Sequence, residues 1–216
     1  MLSILDYEAG NQTSVLHALQ HLGIPGQVTA RASDLFASSG IIFPGVGAAG
    51  QAMRELTNSG LARVLGDLVA LGKPLLGICL GCQILLEQSE EGNVETLGLV
   101  NGSSKRFSND LRDENDRLIS IPHMGWNGLR LKRRNPLFKG VSPLAEFYFV
   151  HSYYVEPDPD LVLAYTRHGL EFCSVYGRDG LWALQFHPEK SGPAGLTILR
   201  NFYKYCRQAK FGDRTC

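Results

Sequence analysis

Two stretches carry the residues best suited to covalent chemistry: Gly77-Ile78-Cys79-Leu80-Gly81-Cys82-Gln83 and Gln185-Phe186-His187-Pro188-Glu189. Cys79 stands where an apolar strand pattern ends and a helical one begins, with a glycine two residues before it and another two after. This G-x-C-x-G pattern is the thiol version of a nucleophile elbow. So sharp a turn strains the residue at its apex, and glycines on either side let the strand and helix backbones approach closely. A helix that starts near Gly81 aims its unpaired N–H groups and positive dipole end at the sulfur, which favours the thiolate. Two other readings compete. Cys79 and Cys82 form a C-x-x-C pair, and redox dithiols also sit at a helix start after a strand. A lone buried cysteine is also a common inert core residue. The glycines argue against both, because neither role needs Gly77 and Gly81 together, and Cys82 falls on a helix whose pattern continues as Ile84, Leu85 and Leu86.

A thiol nucleophile needs a base, and the histidines are His17, His21, His123, His151, His168 and His187. His187 stands out because it follows an apolar strand and precedes Pro188. The proline biases His187 to extended geometry and fixes its own φ, so the side chains of His187 and Glu189 point the same way. Glu189 can then hold the imidazole tautomer and stabilise its charged form. Acyl transfer also needs oxyanion donors, which backbone amides at a helix start or a glycine-rich turn supply. The amide of Leu80 is one candidate. The turn Pro44-Gly45-Val46-Gly47 is the other, since it ends a strand at the same carboxyl edge of the sheet, where ligands of such folds bind.

The elements that must hold these groups in place are readable as alternating strands and helices. Leu2–Leu5, 41–43 and 74–78 read as buried strands, with helical patterns over 13–22, 48–71 (interrupted near 58–60) and 81–88. This alternation predicts an α/β fold, a mostly parallel central sheet flanked by helices. From about Val94 to Val175 the texture turns β-rich, with strand candidates over 96–100, 147–155, 161–166 and 171–176, and 109–116 is a polar loop. A last strand over 181–186 precedes a C-terminal helix over 194–208. At 216 residues the chain can bury roughly 70 per cent of its unfolded surface in one core, and a single domain over 1–216 is predicted.

The 21 basic residues balance 21 acidic ones, so the net charge points to neither nucleic acid nor an anionic membrane; Lys132-Arg133-Arg134 reads as a solvated loop. The first residues lack a signal-peptide pattern, and no run approaches the ~20 apolar residues of a membrane span, which predicts a cytoplasmic protein. Cysteines at 79, 82, 173, 206 and 216 are odd in number and irregular in spacing, as in a reducing compartment. No Cys/His pattern completes a zinc site, and neither metal nor cofactor is expected.

Taken in order, PGVG at 44–47, GICLGCQ at 77–83 and HPE at 187–189 resemble the class I, triad-type glutamine amidotransferases. The segments Pro122-His123-Met124-Gly125-Trp126-Asn127, Tyr148-Phe149-Val150-His151-Ser152-Tyr153 and HPEKSG at 187–192 narrow the resemblance to the branch of that family that serves imidazole glycerol phosphate synthase as its glutaminase. The resemblance spans nearly the whole chain and implies a flavodoxin-like sheet with an antiparallel elaboration in the second half. It also implies a Cys79–His187–Glu189 triad acting on L-glutamine, with Val46, Gly47 and Leu80 around the oxyanion and Gln83, Ser152 and Tyr153 holding the substrate. Ammonia would pass to a cyclase subunit, a (β/α)₈ barrel, faced by Asn11, Met124, Trp126, Tyr148 and Lys190. Two positions depart from the family pattern. Cys82 stands where methionine is usual and reads as a small apolar substitute, and Glu8-Ala9 replaces a glycine-rich pattern.

Overall fold

The computed structural model describes residues 1–8 and 11–209, so Ala9 and Cys216 lie outside the described residues. In chain order the elements are β1 (Leu2–Leu5), α1 (Gln12–His21), β2 (Gly26–Thr29), α2 (Ala32–Ala37), β3 (Gly40–Gly45), α3 (Ala49–Asn58), α4 (Leu61–Ala70), β4 (Leu75–Cys79) and α5 (Leu80–Ile84). The second half holds β5 (Gln88–Ser89), β6 (Val94–Glu95), β7 (Gly102–Arg106), β8 (His123–Gly128), β9 (Arg130–Leu131), β10 (Glu146–His151), β11 (Tyr153–Pro157), β12 (Val162–His168), β13 (Leu170–Arg178), β14 (Leu181–Leu184) and α6 (Gly192–Gln208).

Strands β2, β1, β3, β4 and β14 lie side by side and parallel, each reached through a helical crossover or from the far half of the chain. Their residues explain the arrangement. β1, β3 and β4 are buried throughout, as strands covered on both faces must be. One apolar layer forms where α1 and α6 cover the sheet through Val15, Leu19, Ile198, Leu199 and Phe202. The other forms where α3 and α4 cover it through Ala52, Leu56, Leu65 and Leu68. Beyond β14 the pairing turns antiparallel through β13, β11 and β7. None of the helices among the described residues is long and apolar enough to cross a membrane.

Three expectations change. The helix over 81–88 is only five residues, Leu80–Ile84. The carbonyls that would continue it are taken by the next loop: Leu97 N donates to Ile84 O at 3.0 Å, Leu99 N and Val100 N to Leu85 O at 3.0 Å, and Gly98 N to Leu86 O at 2.8 Å. The strand expected over 96–100 is this capping loop, with strand geometry confined to Val94–Glu95. The single run over 147–155 is two strands that part at Ser152. β10 pairs with β8 in a separate two-stranded ribbon, whereas β11 joins the main sheet.

The elbow shows why glycine is needed on both sides of Cys79. A Cβ on Gly81 would collide with the Phe43 carbonyl oxygen, and one on Gly77 would lie 2.8 Å from Leu85 Cδ1. A Gly81→Ala chain is therefore expected to lose about 3 kcal/mol or more, read as a lowered urea midpoint. Gly66, inside α4 with only Leu99 Cδ2 at 3.9 Å from its prospective Cβ, is the control. Gly66→Ala should leave stability unchanged or raise it by up to about 1 kcal/mol, read as an equal or higher midpoint.

Candidate active site

Cys79 ends β4 and begins α5 with φ 52° and ψ −107°, a left-handed backbone that few non-glycine residues adopt. Holding it there costs about 1–3 kcal/mol, supplied by the buried strand and helix on either side. The sheet register then sets what stands beside it. Pro44 pairs with Ile78 and Gly45 with Cys79, so the Pro44–Gly47 turn leaves β3 next to the nucleophile. Tyr7 Oη donates to Pro44 O at 2.9 Å and fixes the start of that turn. Val46 and Gly47 are exposed at its tip, and Gly47 has φ 98°, a conformation open to glycine.

His187 follows β14 and is fully buried. Its backbone is tied to the ribbon: His187 N donates to Tyr148 O at 2.9 Å, while Ser191 Oγ donates to His187 O at 2.5 Å and accepts from Tyr148 N at 3.0 Å. Pro188 opens a 3₁₀ turn over Pro188–Lys190, which swings Glu189 back under the imidazole. Glu189 Oε1 and His187 Nδ1 are 2.7 Å apart, and both side chains are inaccessible to solvent. Nε2 has no hydrogen-bond partner of ordinary geometry and is left for Cys79 and whatever occupies the cleft. Burial opposes charge on this ring. The nearby Cys79 sulfur and the Glu189 carboxylate bonded at Nδ1 override it and push the pKa up to about 10.

Around Cys79 and His187 a cleft of about 360 Å³ is lined by Val46, Gly47, Leu80, Gln83, Glu91, Pro122, Val150, His151, Ser152 and Tyr153. All of the residues anticipated for the triad, the oxyanion and glutamine therefore meet in one place. Gln83 is buried and donates through Nε2 to Tyr153 O at 2.9 Å, so it braces the Ser152–Tyr153 segment. Cys82 is fully buried on the other side of α5, and burial pushes its thiol well above the ordinary range. Cys79, Cys82, Cys173 and Cys206 are all free thiols. Cys82 thus packs as a small apolar side chain one helical turn from the nucleophile.

Two further residues belong to the site. Asn11, anticipated at a partner face, starts α1 with φ 84° and directs Nδ2 to Glu189 Oε1 at 2.5 Å and toward His187 Nδ1 at 3.4 Å. It thus braces the carboxylate that braces the imidazole. Glu91 lines the cleft and accepts from Ala49 N at 2.8 Å, fastening the start of α3 behind the Pro44–Gly47 turn. No motif in the sequence marks it, because it comes from a loop between two-residue strands.

The other anticipated face is also visible. In the ribbon, Trp126 stands opposite Tyr148 and Met124 opposite Val150. Met124 is 62% and Trp126 54% exposed, and the Trp126 and Tyr148 rings meet edge to face at 6.1 Å. The alternate residues Phe147, Phe149, His123 and His151 point inward and are buried. Trp126 therefore stands outside the core, with the half-buried Tyr148 beside it. Lys190 is exposed.

The triad has a titration consequence. Because the folded pKa lies above 6.5, the imidazolium contributes stability that is complete below pH 6.5 and is lost as pH rises through about 10. Nitrogen NMR of His187 is expected to show the protonated ring throughout neutral pH. Glu189→Gln should lower its midpoint by about one to two pH units, and an unmoved midpoint would deny Glu189 this role.

Comparison with known proteins agrees with this arrangement. The profile of the Glutamine amidotransferase class-I family matches residues 3–206. The chain is 59% identical over 210 residues to "Imidazole glycerol phosphate synthase subunit HisH" of Desulfovibrio desulfuricans, covering 97% of each chain. It is 56% identical over 209 residues to the protein of the same name from Nitratidesulfovibrio vulgaris, covering 97% of this chain and 99% of that one. The solved structure of PurLQS from Thermotoga maritima shares the fold at TM-score 0.71 and 18% identity, over 94% of this chain and 97% of the matched one. With the family profile and relatives this similar across nearly its whole length, the chain belongs to the class-I glutamine amidotransferases.

Proposed function

We propose that the chain is the glutaminase subunit of an imidazole glycerol phosphate synthase in histidine biosynthesis, hydrolysing L-glutamine and handing ammonia to a cyclase subunit. The observation that carries the reading is the strained Cys79 facing a buried His187–Glu189 pair in one cleft, beside a turn that can donate backbone amides. The names of the relatives supply the choice of synthase.

In this reading the Cys79 sulfur attacks the side-chain carboxamide carbon of glutamine. Negative charge builds on the amide oxygen and is met by the Leu80 amide and by an amide of the Val46–Gly47 turn, each such donor being worth about 3 kcal/mol. His187 gives its Nε2 proton to the departing nitrogen, so the C–N bond breaks to ammonia and leaves a glutamyl thioester. Nε2, now unprotonated, takes a proton from water as the water attacks the thioester, and glutamate and the thiolate are regenerated. Gln83 braces the Ser152–Tyr153 wall against which glutamine lies, and the Glu91 carboxylate is the cleft's natural partner for the substrate's ammonium group. Glu189, steadied by Asn11, keeps Nδ1 occupied so that Nε2 is the atom that exchanges protons.

Met124, Trp126 and Tyr148 form the apolar centre of the face that meets the cyclase, with Lys190 at its margin; aromatic residues set among polar neighbours are the usual anchors of such interfaces. Ammonia that escaped to water would be protonated and lost as a nucleophile, so a face this near the triad suits direct transfer.

The test is turnover of the complex with its cyclase and the cyclase's nucleotide substrate. Cys79→Ala should abolish glutamine-dependent turnover and leave ammonia-dependent turnover intact, and Cys82→Ser should keep glutamine use within about threefold of wild type. Loss of both activities in Cys79→Ala, or equal sensitivity to the two cysteine changes, would overturn the reading. Trp126→Ala should weaken binding to the cyclase by about 2 kcal/mol, seen by calorimetry, without altering the fold.

A further inference from the structure

His123 and His151 are buried, titratable and close to the cleft, yet neither takes part in the chemistry above. They stand opposite each other in the β8–β10 ribbon. His123 Nδ1 is 3.0 Å from His151 Nε2, His151 Nδ1 is 2.7 Å from Tyr153 O, and Asn127 Nδ2 is 3.2 Å from His123 Nε2. The polarity of this chain follows from its ends. The Tyr153 carbonyl only accepts, so His151 Nδ1 carries the hydrogen. At the far end Asn127 Nδ2 also donates to Arg167 O at 2.9 Å, and Asn127 Oδ1 accepts from Gly128 N, which fixes the amide as the donor toward His123. Each ring between them then donates once through Nδ1 and accepts once through Nε2. Both rings are neutral: desolvation by burial, with the neighbouring histidines, holds each pKa down at about 3.

The chain ends on an atom that matters. The Tyr153 carbonyl is the group that Gln83 also grips, and Ser152 and Tyr153 form the wall of the cleft opposite Cys79. Ser152 is also where the backbone leaves the ribbon for the main sheet; there Ser152 O accepts from Phe107 N at 3.0 Å and Tyr153 pairs with Arg106 of β7, while β11 pairs with β13 only at Val155. The Tyr153 carbonyl itself is held by two side-chain donors, Gln83 from the helix and His151 from the ribbon.

We propose that His123 and His151 are positioning residues for glutamine, a hydrogen-bond chain of fixed polarity that sets the Tyr153 carbonyl and with it the substrate-facing Ser152–Tyr153 wall. The proposal rests on the glutaminase reading and extends it to the determinants of KM. His123→Phe keeps an aromatic ring between Phe149 and His168, whose ring centres lie 4.7 and 4.2 Å away, but removes the donor to His151. His123→Asn restores an N–H near the position of Nδ1.

The experiment is glutamate release against glutamine concentration by the full chain bound to its cyclase with the nucleotide ligand. His123→Phe is expected to raise KM about tenfold with kcat within about threefold, and His123→Asn to bring KM back to within about threefold of wild type. A KM for the Phe variant within twofold of wild type, or Phe and Asn variants that behave alike, would overturn the proposal. Should the Phe variant not fold, the wild-type chain still decides the matter by long-range nitrogen–proton NMR. Both rings in the Nδ1–H form support the chain, and an Nε2–H form at either position refutes it. Absence of glutamate release by wild type would instead strike the glutaminase reading, leaving the NMR result to judge the hydrogen-bond chain alone.

Discussion

The left-handed backbone of Cys79 is the constraint on which the remaining geometry depends. It is held by approaches closer than any side chain would permit: Gly81 at the start of α5 lies against the Phe43 carbonyl of the neighbouring strand β3, and Gly77 of β4 lies under Leu85. The same close approach draws β3 against β4 and brings the Pro44–Gly47 turn to the edge of the nucleophile. Strain at one residue thus organises three elements, and the buried apolar layers on both faces of the sheet keep it from relaxing.

Around this centre the protein sets the charge of one residue type in opposite directions. His187 lies between Cys79 and Glu189 and is held as a cation despite complete burial. His123 and His151, equally hidden, have no carboxylate beside them; they bond each other, an amide and a backbone carbonyl, stack among aromatic rings and the His168 ring, and are held neutral. Burial penalises charge in all three cases, so the nature of the partner decides the outcome. A carboxylate and a thiol outweigh the penalty, whereas neutral acceptors do not. The site thereby keeps one mobile proton and two fixed ones within the same few layers of side chains.

Much of this was legible in the sequence because the signals are local. An apolar run ending in glycine-flanked cysteine implies its geometry through short-range backbone rules; His187 and Glu189 do converge, but through a 3₁₀ turn over Pro188–Lys190 in place of the extended backbone through 187–189 that the proline suggested. Less was legible where structure depends on distant partners. β2, Gly26–Thr29, is a partly exposed edge strand with no apolar run to announce it, and α2 is too short to show a period. The helix after Cys79 stops early because residues 97–100 claim its carbonyls, which no reading of 80–88 alone reveals. The apolar run from Phe147 to Val155 hides a change of sheet at Ser152, since both strands share the same alternating texture. Asn11 reaches Glu189 across 178 positions of chain, and Glu91 comes from a loop with no pattern of its own.

The ribbon formed by β8 and β10 carries two kinds of information on one backbone. Because neighbouring residues of a strand face opposite ways, Met124, Trp126 and Tyr148 look outward while His123, Phe147, Phe149 and His151 look into the buried interior. A change at one set of positions leaves the other set in place, provided the register is kept. The outer set can therefore be rewritten to suit a different neighbour without disturbing the buried set, and the inner set can be retuned without exposing a new surface. An insertion of a single residue would exchange the two sets, placing imidazoles in solvent and tryptophan in the core. Length, more than identity, is what this hairpin cannot vary.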